Sequence, residues 1–418
     1  MSKRKILLAV ILGLLAIVLL RNEIFLLVLS WVNRPKMEQQ QLPLPALKPE
    51  LRRELASYLR THFQSPEDYI LSKFQDHDIV FLGEYHRIRH DPLLVQRMIP
   101  LLYRHGVYTL GMEFACRRDQ PKIDSLITAD RYDPSLASRI LFDFLYSWGY
   151  QEYADIFKAA WRLNRSLPDS ARKFRILGLN TYADWRYVQT PEDRKNPAVM
   201  ARVFAEGSSD SVMAYTILRE IADKGGKALI YCGIHHAFTR YHQPMFDEKK
   251  RAFAGFIRRR AGNIVYGAVG DRAFTVCLHM PWPSATGYSA PEVYPADGIV
   301  DTLMKALGKD FRPVGFDTRG TPFGKLPGNT SIYKMGYPSF SLQDFCDGYI
   351  YQKPLSRYEG VTPIQGFINS GNLAEARSQL RSPEAKQSPL WKVFGPPVFN
   401  RLLVEHNIRI RQWMSRFK

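Results

Sequence analysis

The stretch FLGEYHRIRH, residues 81–90, is an apolar run that breaks off into Gly83, Glu84, Tyr85 and His86, with His90 four residues on. A second stretch, ALIYCGIHHAF at 228–238, ends the same way on Gly233, His235 and His236. A strand that only filled a core would need neither carboxylate nor imidazole where it stops. Reading outward from these two runs, strand-like and helix-like segments alternate. Asp78–Gly83 reads as a short apolar strand, and the Leu94, Met98, Leu101, Leu102 spacing predicts a helix over 92–105 that stops at Gly106. Val107–Met112 is the next strand, helices follow at about 119–128, 134–147 and 151–165, and KFRILGLN (173–180) is a third strand. A helix at 209–224 leads to a fourth strand, KALIYCGI (227–234). This alternation predicts an α/β fold, a mostly parallel sheet between helical layers. NIVYGAVG (263–270) and FTVCLHM (274–280) read as a later hairpin at one edge, turning at Asp271-Arg272. Beyond residue 285 the pattern loosens into Gly/Pro-rich loops, and a helical extension is expected over 371–418.

In open parallel sheets, ligands bind outside the carboxyl ends of the strands. Here those ends carry Glu84 and His86, Glu113, Asn180, and His235 with His236. A single histidine after a strand is ordinarily a satisfied loop or core residue, and a single glutamate there can serve as a helix cap. Two Gly-x-x-His turns with a Glu-ended strand between them favour one shared site at Glu84, His86, Glu113 and His236. Alternation at the strand end points His236 to the site and His235 to packing. Such a set can hold a divalent metal through His86, Glu113 and His236 and sharpen a bound water. The same groups without metal can act as base and acid. Residue type alone leaves both open. It does exclude a serine nucleophile on a Gly-x-Ser-x-Gly elbow, which does not occur.

The chain has 418 residues, 45% of them hydrophobic, with 24 Phe, 22 Tyr and 7 Trp, which excludes a largely disordered protein. Lys3, Arg4 and Lys5 precede the apolar run Ile6–Leu20, and Ile24–Val32 continues it after Arg21-Asn22-Glu23. The first run would reach roughly 22 Å as a helix, short of the roughly 30 Å hydrocarbon core, so both together are needed to span. No small-residue cleavage site follows Leu20. The expectation is a signal-anchor (or a signal peptide) over 1–35, with the membrane as a partner and the body outside the cytoplasm. A Pro-rich linker at 36–46 then delivers the chain into one domain at 47–370. Ser65-Pro66-Glu67-Asp68 offers a helix start inside it. Net charge is +18, from 58 basic and 40 acidic residues, densest at DEKKRAFAGFIRRR (247–260). That segment reads as a solvated helix face beside a membrane, and with no nucleic-acid module pattern no nucleic-acid partner is expected. Cys116, Cys232, Cys277 and Cys346 lack CxxC spacing, so a zinc ribbon is excluded. They fit either one or two disulfides or buried small hydrophobes.

DIVFLGEYHRIRHDP and YTLGMEFACRRDQPKID, followed by ILGLN and IYCGIHHAF, resemble the superfamily that unites ChaN-like haem-binding uptake proteins, Tiki/TraB proteases and erythromycin esterases, most of all the ChaN-like group. The resemblance covers roughly 70–240. It implies Glu84, His86, Glu113 and His236 as the site, with Gln120 in the second block. His90, Asn180 and His235 are further candidates, as are Asp317, Arg319 and Asp347 from GFDTRGTPFG and DFCDGYIYQKP, which suggest loops returning to the site. Joined to the anchor expected over 1–35, the resemblance implies a membrane-anchored hydrolase-like protein, with or without a divalent metal, whose small-molecule or peptide substrate the sequence does not name. The alternative it carries is haem or metal binding without catalysis; haem would need an exposed Tyr or His in apolar surroundings, for which Tyr85, Tyr241 and His242 are available.

Overall fold

The computed structural model describes residues 41–308, 312–389, 391, 395–396, 400 and 410–417. The expected signal-anchor over 1–35, the first part of the expected linker and part of the expected C-terminal extension lie outside the described residues. Among the described residues no helix is long and apolar enough to cross a membrane.

Among the described residues nine strands form: β1 (Ile79–Glu84), β2 (Thr109–Cys116), β3 (Arg175–Asn180), β4 (Ala228–Gly233), β5 (Gln243–Asp247), β6 (Ala252–Ile257), β7 (Ala273–Leu278), β8 (Val314–Asp317) and β9 (Gly348–Tyr351). Seven make one sheet in the order β3-β2-β4-β1-β7-β9-β8. Neighbours are parallel except β8, which runs antiparallel to β9. β5 and β6 form a separate antiparallel hairpin.

Strand alternation divides the core. From β1, Val80 and Leu82 pack on one face, with side chains of the helices Pro66–Lys73, His90–Arg104, Gln120–Thr128, Pro134–Phe144 and Gln151–Ser166. Ile79 and Phe81 pack on the other, with Pro49–Thr61, Ser209–Glu220, Ala261–Val269 and Ile299–Leu307. β4 divides likewise, Leu229 and Tyr231 to the first face and Ile230 and Cys232 to the second. Strands buried on both faces read as unbroken apolar runs, as parallel strands under helical layers must. The local signals act as expected at Ser65, whose hydroxyl accepts the Asp68 N–H (3.1 Å) at the start of a helix with Pro66 in its first turn. The α/β reading therefore stands, with a sheet parallel in six of its seven strands.

Four details differ from the expectation. Residues 261–269 form a helix rather than a strand, its start fixed by the Arg260 N–H donating to Asn263 Oδ1 (3.1 Å). A short all-apolar run does not distinguish the two by periodicity, and a parallel neighbour for β1 needs a crossover helix before it. β7 is accordingly central, between β1 and β9, and not part of an edge hairpin. The basic segment 247–260 contributes β6, so it is no helix face. The loop-like region past 285 hides β8 and β9, which are only four residues each. All four cysteines are free and buried. The described end of the linker packs on the body, where the Leu42 N–H donates to the Arg416 carbonyl (2.8 Å) and Leu42 and Leu44 join Ile88, Tyr358 and Phe417.

Candidate functional site

β1 and β4 are adjacent and in register, Glu84 beside Gly233, so the two glycine turns leave the sheet side by side. β2 flanks β4 on the other side and brings Glu113 to the same rim. Glu113 is inside β2 rather than at its end, because that strand runs on to Cys116 through an irregularity after Met112.

Glu84 is the buried anchor, with 1% of its surface exposed. Its carboxylate accepts Tyr153 O–H (2.6 Å), a bond from the Tyr231 hydroxyl, and His86 Nδ1 (2.9 Å). Burial beside that charge pushes both tyrosine hydroxyls well above their usual range. They therefore remain donors, and the carboxylate orients the His86 ring. His86 itself keeps 43% of its side chain accessible, and among the described residues no protein group bonds its Nε2. The ring lies against Gly233. A Cβ there would come within 2.5 Å of His86 Cε1, so a glycine is needed for this close approach.

His236 is held from both ends. Its Nδ1 pairs with Asp210 (2.7 Å), and Glu113 Oε1 lies 3.5 Å from its Nε2. The other oxygen of Glu113 accepts the Gly233 N–H (2.6 Å), which ties β2 to the turn carrying His236. Asp210 also accepts the Ala261 N–H (2.8 Å) and pairs with Arg260 (3.1 Å).

The electrostatics follow from these partners. Enclosure works to lower the pKa of His86, but the bond to Glu84 and the charges of Glu113 and Glu84 outweigh it and raise it above 6.5. For His236 enclosure again lowers, while Glu113 and Asp210 raise, and the net is again upward. Asp210 is held below its usual range, burial being outweighed by the bond and charge of His236 and by Arg260. The His236 charge also opposes that of His86, as the smallest of the influences on that ring.

Two cavities meet here, of about 380 and 430 Å³, and His86 and His236 line both. The first is walled by aromatic side chains, among them Tyr146, Trp148, Tyr182 and Trp185, and the second by Arg87, Arg260, His235 and Tyr333. The imidazoles thus form a ridge across one two-lobed cleft.

Residues 70–187 match the family described as haem-binding uptake, Tiki superfamily, ChaN. The resemblance to the Tiki superfamily holds over that segment. It contains Glu84, His86 and Glu113, and the half of the cleft with His236 lies beyond it. Among solved structures, a Bacillus cereus protein is similar at 12% identity, covering 77% of this chain and 100% of that one, with a TM-score of 0.46. A mutant of the erythromycin esterase EreC in its open conformation is similar at 12% identity, over 68% of this chain and 92% of that one, with a TM-score of 0.43. ChaN of Campylobacter jejuni, described with cofacially bound haem, is similar at 14% identity, over 52% and 88%, with a TM-score of 0.32. No curated protein matches the chain in sequence.

The remaining candidates separate. Asn180 lines the aromatic lobe and accepts the Ser209 hydroxyl (2.7 Å). His235 lines the second lobe, its Nε2 2.9 Å from the Tyr333 hydroxyl, because Ile234–Ala237 is a helical turn and strand alternation does not apply. His90 is buried against Tyr358, away from both lobes, and its pKa is pushed down to about 3 by burial. Asp317, Arg319 and Asp347 also stand outside the cleft. Asp317 binds Lys73 (2.7 Å) and the Tyr69 hydroxyl (2.7 Å). Asp347 accepts Arg319 Nε (2.7 Å) and the Thr275 N–H (2.9 Å) just before β9 begins. Both carboxylates hold the sheet end away from the site. Gln120 likewise pins edge strand β3, donating to the Ile176 carbonyl (2.8 Å) and accepting the Gly178 N–H (3.0 Å).

Asp210, Tyr153, Tyr231 and Arg260 were not read from the sequence as site residues. Tyr231 had a signal, since strand parity places it on the face of Leu82 and Glu84. Asp210 had none, because an acid in a first helical turn is ordinarily explained by the helix dipole.

Proposed function

We propose that this cleft hydrolyses an ester or amide without a metal, with Glu84–His86 and Asp210–His236 as two carboxylate–imidazole dyads. The observation that carries the reading is that both rings are oriented through Nδ1 while sharing one cleft, with coupled charges. With one proton between them, one ring is a base and the other an acid. Water bonds to the carbonyl carbon and gives its proton to the neutral imidazole. The bond to the leaving oxygen or nitrogen breaks, and that atom takes the proton of the charged imidazole. Glu113 Oε1, beside His236 Nε2, orients the water. Among the described residues no three His, Cys, Asp or Glu side chains converge closely enough to hold a metal ion, so no step is routed through one. The body is proposed to act outside the cytoplasm, tethered by residues 1–35.

Haem binding without catalysis is the second reading, favoured by the family description and by His86 Nε2, unbonded in an aromatic-walled cavity. Tyr241 does not suit it, being buried and donating to the Tyr333 carbonyl (2.5 Å). The test is hydrolysis of 4-nitrophenyl esters by the body from residue 41 on. Turnover that survives a chelator and is lost in Glu113→Gln supports the hydrolase. A Soret shift on added haem, lost in His86→Ala, with no turnover supports the second reading.

A further inference from the structure

The two lobes differ in chemistry, and the difference specifies a substrate. In the first, Tyr146, Tyr182, Trp185 and Phe204 are half-buried, with Trp185 and Phe204 edge to face at 5.6 Å. Half-exposed rings on the wall of a cavity can stack on and bury an apolar group; Tyr182 and Trp185 each already carry a guanidinium over one ring, Arg118 (3.1 Å) and Arg381 (5.1 Å), and Arg381 also lines this lobe. The second lobe carries two arginines, Arg87 and Arg260. Arg87 lines it with no acidic partner among the described residues, and its Nε is buried without a hydrogen bond. Its guanidinium lies over Trp148 (4.9 Å), and its backbone takes the left-handed region (φ 71°), uncommon for a residue with a side chain. The Arg87 N–H meets the Tyr153 hydroxyl (3.1 Å), which fixes that bend next to Glu84. Arg260 binds Asp210 and Gln243, which leaves part of its five-donor fork unused. Two acids also line this lobe: Glu84, held by Tyr153, Tyr231 and His86, and Glu292, held by the Tyr85 hydroxyl and near Arg416.

We infer that the substrate is an amphipathic anion, its apolar ring in the aromatic lobe and a carboxylate or phosphate at Arg87 and Arg260, with the scissile group at the imidazole ridge between. This rests on the hydrolase reading only for the last clause, because the two lobes would select the same ligand without turnover. With no acid holding the Arg87 guanidinium among the described residues, its remaining donors are open to a charge-assisted bond from a ligand.

The test separates binding from chemistry. Succinanilic acid and butyranilide are stable amides of similar shape that differ by one carboxylate, and tryptophan fluorescence reads their binding. The wild-type chain is expected to bind the acid about tenfold or more tighter, the scale of one charge-assisted bond. Arg87→Gln is expected to abolish that ratio, Arg87→Lys to retain most of it, and Trp185→Ala to weaken both ligands alike. Equal affinities in wild type, or a ratio unchanged in Arg87→Gln, overturn the inference. Selective binding with no hydrolysis of the matching 4-nitrophenyl esters keeps it and removes the hydrolase reading.

Discussion

At the scale of single residues, four histidines fall into two electrostatic classes with opposite consequences for pH. His86 and His236 have carboxylate partners and raised pKa values. Their pairs contribute stability that is full below the unfolded value of 6.5 and lost as pH rises through the folded value. His90 and His235 are enclosed and pushed down to about 3. Their contribution is present above 6.5 and is lost as pH falls from there towards about 3. Urea midpoints are expected to fall on both sides, with His90→Gln shrinking the acid loss and His236→Gln the alkaline one, the latter also removing the acid-side contribution of Asp210. Catalysis should trace a bell in kcat/KM whose alkaline limb lies above 6.5, where the last imidazole proton leaves. A rate independent of pH across that limb would remove the imidazoles from the chemistry. Glu84, His86, Glu113 and His236 were legible because strand ends concentrate functional groups and each follows an apolar run. Asp210 was not, because its role depends on a helix start meeting β4's turn, a distance no local pattern contains.

At the scale of elements, the glycine turns decide how close the two dyads come. Gly233 has ordinary backbone angles (φ −58°), so its need for glycine is steric, from the ring of His86. Gly233→Ala should cost about 1–3 kcal/mol by overpacking. A displacement of the ring near 1 Å should cost about a hundredfold in rate. Thermal unfolding beside steady-state kinetics checks this, and unchanged kinetics with the same stability loss would show that the ring tolerates the shift. The strands β1 to β4 were readable because burial on both faces leaves long apolar runs. The helix at 261–269 was misread for the same reason, since a short apolar run serves either structure. β8 and β9 are too short to carry a pattern, and they are placed by pairing, β9 with β7 and β8 with β9, rather than by their own residues.

At the scale of the whole molecule, one end of the sheet carries the cleft and the other carries ion pairs that resemble a site in sequence. Asp347→Ala removes a buried acceptor from Arg319 and the Thr275 N–H. It should cost about 1–3 kcal/mol with kcat/KM unchanged, as urea unfolding and ester turnover would read. A rate loss equal to that of a ridge mutant would return Asp347 to the site. The loops at 315–324 and 344–354 misled because Asp and Arg near glycine look alike in sequence whichever end of a sheet they hold. The account's central claim is that His86 and His236, 150 residues apart in sequence, work as one unit across the ridge of a single cleft. Kinetics of His86→Ala, His236→Ala and the double variant test it most directly. Each single change is expected to lower kcat/KM by about 10²–10⁴-fold, and the double no further than the worse single. Partial losses that multiply in the double variant would contradict a shared site.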